Sequence, residues 1–332
     1  MSTSVVVTGA SGYIGKHVVK EFLDHGYAVR ATVRSDAKEA ELREAIGADG
    51  ADRLSVVRLD LNSDEGWDAA LEGVDALIHT ASPFPLATPN DPDELIRPAV
   101  DGTLRALRAA EAAGVRRAVL TSSCVAIYND ELRDGQTILD ETNWSPTRQP
   151  FTTPYDDSKT LAERAAWEHV GAAGTALSTV NPGVVLGEPL DDNFGSSLSL
   201  VEQLLGGEFP MLPDVNLPVV HVRDVAAMHR LALESDEAIG QRFPAVAGAL
   251  SMVEMAEILN AEIPTSAAKV RRAPSFLIRL MARFNADMKS IAPRLGKSGA
   301  VSGANAERRL GMTFTSARDA VIESGRFLAT RS

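Results

Sequence analysis

The chain has 332 residues and a formal net charge of −12, so nucleic acid and anionic membrane surfaces are repelled overall. Its 45% hydrophobic and 23% charged residues suit an ordinary globular protein, long enough for about two lobes at ~150 residues each. Cys124 is the only cysteine, which rules out an intrachain disulfide and fits a reducing compartment.

The opening MSTSVVVTGASG has no basic leader and runs straight into a strand-and-turn pattern. No apolar run approaches the ~20 residues that span a bilayer. The expectation is a cytoplasmic protein, monomer or homodimer, with no membrane or nucleic-acid partner. A strand is predicted over residues 4–8, a helix over 14–25, a strand over 28–33, a helix over 39–46 and a strand over 54–59. A short helix at 67–71, a strand at 76–79, a helix at 95–113 and a strand at 117–121 follow, then a helix at 158–170 and a strand at 176–180. Alternation of this kind, with near-continuous apolar strands, predicts an α/β fold: a Rossmann-type, doubly wound parallel sheet. Beyond Gly187 the rhythm breaks into a strand over 218–222, a helix over 224–233, a strand over 243–247 and a mostly helical remainder. The predicted division is a dinucleotide-binding domain over 1–186, also receiving strands from about 217–248. A smaller, mostly helical substrate lobe is drawn from 187–216 and 249–332.

Thr8-Gly9-Ala10-Ser11-Gly12-Tyr13-Ile14-Gly15 lies between the first strand and the first helix. Gly9, Gly12 and Gly15 permit a tight turn and close backbone approach to a pyrophosphate. The helix start, Tyr13 and Ile14 included, offers free N–H groups and a positive dipole end. The spacing GxxGxxG, rather than GxGxxG, resembles the extended branch of the short-chain dehydrogenase/reductase superfamily. In dinucleotide folds an acid at the end of the second strand binds the ribose of NAD, whereas an Arg accommodates the 2′-phosphate of NADP. This strand ends in Thr32-Val33-Arg34 with no acid, so Arg34, assisted by Lys38, predicts NADP(H). The resemblance further implies that Asp60 and Leu61 meet the adenine and that Ala81 and Ser82 pass beneath the nicotinamide ribose. It also implies that the backbone around Pro182 and Val185 meets the carboxamide.

Tyr155 and Lys159 stand four residues apart, on one face of a helix. Carbonyl reduction needs a proton donor at the nascent alkoxide, and a phenol with a pKa of ~10 is a weak one. An ammonium ~4 Å away at an effective dielectric of about 20 is worth ~4 kcal/mol, roughly three pKa units. The same Lys can hold the ribose hydroxyls. Ser123, at the carboxyl edge of the fifth strand, completes the set by polarising the substrate oxygen, with Ser122 as the alternative hydroxyl. Phe84 and Phe151 are predicted pocket walls by position.

Arg30–Arg34, His79-Thr80-Ala81-Ser82-Pro83, Arg116–Ser123, Asp140–Trp144 and Ser158–Trp167 look like the dihydroflavonol reductase, cinnamoyl-CoA reductase and microbial aldehyde/ketone reductase branch. That likeness implies NADPH and 4-pro-S hydride transfer to an aldehyde or ketone. Two departures stand out: Asp101 replaces the branch's usual Asn, and the Lys-Asn-Trp-Tyr signature of cinnamoyl-CoA reductases is absent before Tyr155. A sugar-nucleotide epimerase or dehydratase shares the fold and the Tyr-Lys pair. However, Cys124 follows Ser123 where a dehydratase needs an acid, and Arg34 argues against tightly held NAD. A non-catalytic dinucleotide sensor is the remaining alternative. The histidines lack metal-ligand spacing, so no metal is predicted. Asp224 is expected to cap a helix, and the Arg-rich stretch 269–283 to form a solvated helix face.

Overall fold

The computed structural model describes residues 3–83, 91–173, 175–284, 288, 291–296 and 299–331. The first half alternates as expected: β1 (Ser4–Thr8), α1 (Tyr13–Asp24), β2 (Ala28–Val33), α2 (Asp36–Ile46), β3 (Leu54–Arg58), α3 (Trp67–Leu71) and β4 (Ala76–His79). Then come α4 (Asp93–Ala112), β5 (Arg117–Thr121), α5 (Pro154–Ala173) and β6 (Ala176–Pro182). Later segments form β7 (Val184–Leu186), α6 (Ser196–Leu205), β8 (Asn216–His221), α7 (Val222–Glu234), β9 (Arg242–Ala245) and β10 (Gly248–Ser251). The chain closes with α8 (Met252–Glu262), α9 (Ser275–Met281), α10 (Ala304–Leu310) and α11 (Ala317–Ala329).

Among the described residues, seven parallel strands run in the order β3-β2-β1-β4-β5-β6-β9. Val5, Val6 and Val7 of β1 are all buried because helices cover both faces of the sheet. Val5 and Val7 join the apolar cluster that includes Phe22 of α1 and Val225 of α7. Val6 points the other way, into a second cluster with Leu107 of α4 and Ala166 of α5. The strand order reverses at β1, whose neighbours are β2 and β4, and a ligand crevice opens at the carboxyl ends there.

Of the two late strands predicted to join this sheet, only β9 does, pairing with β6. β8 instead pairs with β7 and antiparallel β10 in a three-stranded sheet. The departure starts at Gly183, where a Cβ would stand 2.3 Å from the Pro218 carbonyl oxygen. A side chain there would force β7 and β8 apart. Two smaller expectations also change. The N-cap of α7 is His221, whose Nδ1 accepts from the Arg223 N–H at 3.1 Å, while Asp224 binds the Thr315 backbone and hydroxyl. Arg271 and Arg272 lie outside any helix: the Leu212 N–H donates to the Arg271 carbonyl and the Ala273 N–H donates to the Leu212 carbonyl, a pairing of extended backbone. Of the exposed arginines there, Arg279 alone lies within α9.

Candidate active site

Gly9 takes φ +66°, a left-handed value that a Cβ disfavours, and an added Cβ would meet the Ala81 backbone at 2.7 Å. The turn after β1 therefore lies directly against the chain leaving β4. Two hydrogen bonds pin that junction: Thr80 Oγ1 donates to the Thr8 carbonyl at 2.6 Å, and the Ala81 N–H donates to Thr8 Oγ1 at 3.3 Å. Gly15 packs under the turn, where a Cβ would sit 2.2 Å from the Gly9 oxygen. The first-turn N–H groups of α1 have no partner within the helix, as the start of any helix leaves them. The Tyr13 side chain is spent elsewhere, donating from its hydroxyl to the Gly187 carbonyl at 2.9 Å. Only its backbone belongs to the turn.

Tyr155 and Lys159 lie on the first turns of α5, both partly exposed, and Ser123 follows β5. A side-chain hydrogen bond joins Ser123 to Tyr155. Ser123 Oγ also accepts the Val125 N–H at 3.3 Å, which caps the short turn after β5. Ser122 faces away: its hydroxyl donates to Glu163 Oε2 at 2.6 Å. Lys159 lines a small cavity with Ala81, Ser82, Thr103, Ser122 and Glu163, so the ends of β4 and β5 and two helices meet there. Asp101 is exposed on α4, and Thr103 is the α4 residue that faces this cavity.

Behind the trio lies a buried charged network that motif reading passed over. Glu163, one turn past Lys159 and 0% exposed, pairs with Arg242 of β9 at 2.7 Å. Its carboxylate also accepts from Ser122, Thr179, Asn181 and Trp167. Arg242 donates to the carbonyls of Glu141 and Asn143 and stacks 3.6 Å from the Trp144 ring centroid. Asn181 in turn donates to the Ser123 carbonyl at 3.3 Å, and the Cys124 thiol donates to the Asn181 carbonyl. The available signals are a carboxylate one turn after Lys159 and an arginine immediately before the apolar run 243–247. A buried charge calls for a partner.

The electrostatics correct one expectation. Lys159 was expected to draw Tyr155 toward neutrality. Instead burial, first, and the Asp156 charge hold the phenol above its ordinary value, against the Ser123 hydrogen bond that favours the phenolate. Burial outweighs the other contributions. Lys159 itself is pulled by burial down to about 8, partly restored by Glu163. Its charge acts on His79, which burial and Lys159 together lower to about 3. Burial pushes Glu163 up, but the Arg242 charge and the surrounding hydrogen bonds keep it below the ordinary carboxylate value.

The donor set fits a phosphorylated dinucleotide. Arg34, just past β2, is exposed and forms no ion pair among the described residues. The nearby carboxylates are engaged: Arg58 pairs with Asp36, and Lys38 holds Glu41 at 2.6 Å. Lys38 is thus less available than Arg34. Asp60 is exposed and its Oδ1 caps the following turn through Asn62, while Leu61 packs near Gly102. Pro182 and Val185 are buried at the end of β6 and in β7. Phe151 is partly exposed four residues ahead of Tyr155, and Phe84 lies outside the described residues.

The chain is similar to known proteins in sequence and in fold. The NAD dependent epimerase/dehydratase family model matches residues 5–244. Cinnamoyl-CoA reductase 1 of Arabidopsis thaliana is 39% identical over 265 residues, covering 79% of this chain and 75% of its own. Anthocyanidin reductase of Vitis vinifera is 30% identical over 272 residues, covering 78% and 80%. The crystal structure of yeast methylglyoxal/isovaleraldehyde reductase Gre2 complexed with NADPH superposes with a TM-score of 0.82 at 25% identity, covering 99% of both chains. With a switch-point glycine turn, a strand-end serine and a Tyr-Lys helix in one crevice, the chain belongs to the NAD dependent epimerase/dehydratase family, the extended short-chain dehydrogenase/reductases, within their reductase branch.

Proposed function

We propose that the protein is an NADPH-dependent oxidoreductase that reduces an aldehyde or ketone to an alcohol, or runs the reverse reaction, in the cytoplasm. The observation that carries this reading is the Ser123–Tyr155 hydrogen bond at the carboxyl edge of the sheet, on the same helix as Lys159. When bound, the cofactor supplies the hydride. Arg34 and the α1 N-terminus would hold its phosphates, and Lys159 with Ala81 and Ser82 would hold its ribose. Tyr155 donates a proton to the nascent alkoxide, and Ser123 polarises the carbonyl.

A phenol held above its ordinary value is protonated at neutral pH, the form that carbonyl reduction starts from. Lys159, at about 8, is still mainly charged there and offsets the negative charge left on Tyr155. Segments 187–216 and 249–332 form the substrate lobe. The likeness to cinnamoyl-CoA reductase favours a reductase over an epimerase but does not extend to its thioester, because Pro154 precedes Tyr155 where that signature is absent.

The decisive assay follows consumption of reduced cofactor against a panel of aldehydes and ketones. NADPH is expected to outperform NADH, and Tyr155→Phe to lose about 10²–10⁴-fold in turnover while keeping cofactor affinity. Arg34→Asp is expected to weaken NADPH about 10–100-fold and leave NADH nearly unchanged, as for a charge-assisted phosphate contact. Full turnover in Tyr155→Phe removes the proton-donor role. Equal losses with both cofactors remove the 2′-phosphate role of Arg34.

A further inference from the structure

Asp156 directly follows Tyr155, and its side chain is 4% exposed. One carboxylate oxygen accepts the Thr153 N–H at 3.0 Å and the Arg294 guanidinium at 2.9 Å. Arg294 comes from a short 3-10 turn, Ala292–Arg294, 138 residues further along the chain. Its guanidinium lies 4.7 Å from the centroid of the Tyr128 ring, and its Nε is buried with no hydrogen-bond partner among the described residues. A guanidinium that gives up water at Nε to keep one carboxylate contact is held there by charge and stacking.

The groups around Tyr155 come from three segments. α5 supplies Asp156, whose charge acts on the phenol, with Asp157 and Lys159 further along the helix. The segment after β5 supplies Ser123, hydrogen-bonded to Tyr155, and Tyr128, while the Ala292–Arg294 turn supplies Arg294 through its contacts with Asp156 and the Tyr128 ring. His79 and Glu163 act one step removed, through Lys159. Asp157 receives the Arg148 N–H at 2.9 Å. Burial holds Asp156 above its ordinary value, and Arg294 opposes that rise. Tyr128 feels Asp156, Arg294 and Tyr155 together, so these four side chains form one electrostatic group.

We propose that Arg294 is a positioning residue for the reaction: it holds the Asp156 carboxylate, and through it the first turn of α5 that presents Tyr155, so that seating of the C-terminal lobe is coupled to proton transfer. This rests on Tyr155 being the proton donor. The Asp156 charge beside the phenol makes proton release harder, and Arg294, 2.9 Å from that carboxylate, offsets part of it, so that losing the guanidinium leaves the charge uncompensated.

The test compares Arg294→Gln, Arg294→Lys, Asp156→Asn and the Arg294→Gln/Asp156→Asn double variant. The readouts are the pH dependence of turnover and direct NMR titration of ¹³C-labelled tyrosine. The chain has four tyrosines, so the Tyr155 signal is identified by its loss in Tyr155→Phe. Arg294→Gln is expected to move the Tyr155 titration up by about one unit and Asp156→Asn to move it down. The double variant should return close to the parent, and Arg294→Lys should stay there. Shifts of the same sign in the two single variants, or none in folded Asp156→Asn, overturn the proposal. Should Arg294→Gln fail to fold, Asp156→Asn and Arg294→Lys still decide. If Tyr155→Phe keeps its turnover, the proton-donor reading fails instead, and the phenol titration reports on the Arg294–Asp156 pair regardless.

Discussion

The Glu163–Arg242 and Asp156–Arg294 ion pairs both hold α5, and they are built differently. Glu163–Arg242 is sealed, with side chains 0% and 7% exposed, and every oxygen of the carboxylate is engaged by the sheet behind the site. Asp156–Arg294 is half open, with Arg294 25% exposed and reaching in from a late segment. The first pair ties Lys159 and the backbone of Ser123 to the strands. The second ties the residue after Tyr155 to the late Ala292–Arg294 turn. One pair is thus closed off within the core while the other is partly open to solvent, so that salt screens the second far more than the first.

The sealed pair offers the harshest way to break that contrast. Glu163→Gln removes the charge but keeps the volume, leaving Arg242 buried without its counterion. A stability loss of about 3–5 kcal/mol is expected, read as a lower urea midpoint. A loss below about 1 kcal/mol would mean that Arg242 finds other acceptors and that the pair is not the anchor described above.

Serine substitutions sharpen the same contrast on one strand end. Ser123→Ala is expected to lower kcat about 10²-fold with little change in melting temperature, as for loss of an oxyanion-type donor. Ser122→Ala should do the reverse, costing about 1–3 kcal/mol because Glu163 loses a buried donor, while kcat stays within a few-fold. If Ser122→Ala is the variant that stalls turnover, the two hydroxyls have been assigned to the wrong roles.

What the amino-acid pattern revealed follows the same division. The glycine turn, the strand ends and the Tyr-Lys spacing depend on local rules; in the structure Thr8 is bonded to Thr80 and Ala81, and Ala81 lines one cavity with Lys159. Glu163 was within reach of that reasoning, one helical turn from Lys159, but its partner Arg242 is 79 residues away. Nothing local marks Arg294 among the many arginines after residue 269. β8 was assigned to the wrong sheet because an apolar strand is equally suited to either; Gly183, where the backbone must pass close to Pro218, makes the choice. The Tyr155 electrostatics were misjudged because pairwise Coulomb reasoning left out burial, the largest contribution.

The gentlest expected effect is pH-dependent and comes from the sealed side. Burial, first, lowers His17 and His229 to about 4, and burial with the Lys159 charge lowers His79 to about 3. His229 shows the local reason: Nδ1 donates to the Val225 carbonyl at 2.7 Å, which leaves Nε2 to accept from Thr121 Oγ1, and a second proton has no place. Because the folded values lie below the ordinary 6.5, the unfolded chain takes up protons first as pH falls. The stability is therefore complete above about pH 6.5 and is lost progressively toward pH 4, at on the order of 1 kcal/mol per pH unit for each histidine. Asp156 and Asp224, raised by burial, act in the opposite sense at lower pH. Urea unfolding at about pH 7 and pH 5 measures the slope, and His229→Gln, which keeps hydrogen-bonding capacity but cannot titrate, should remove its own share. An unchanged slope in that variant would show that His229 accepts a proton in the folded protein, and with it that the floor beneath Ser122 and Ser123 is less rigid than the contrast between the two ion pairs requires.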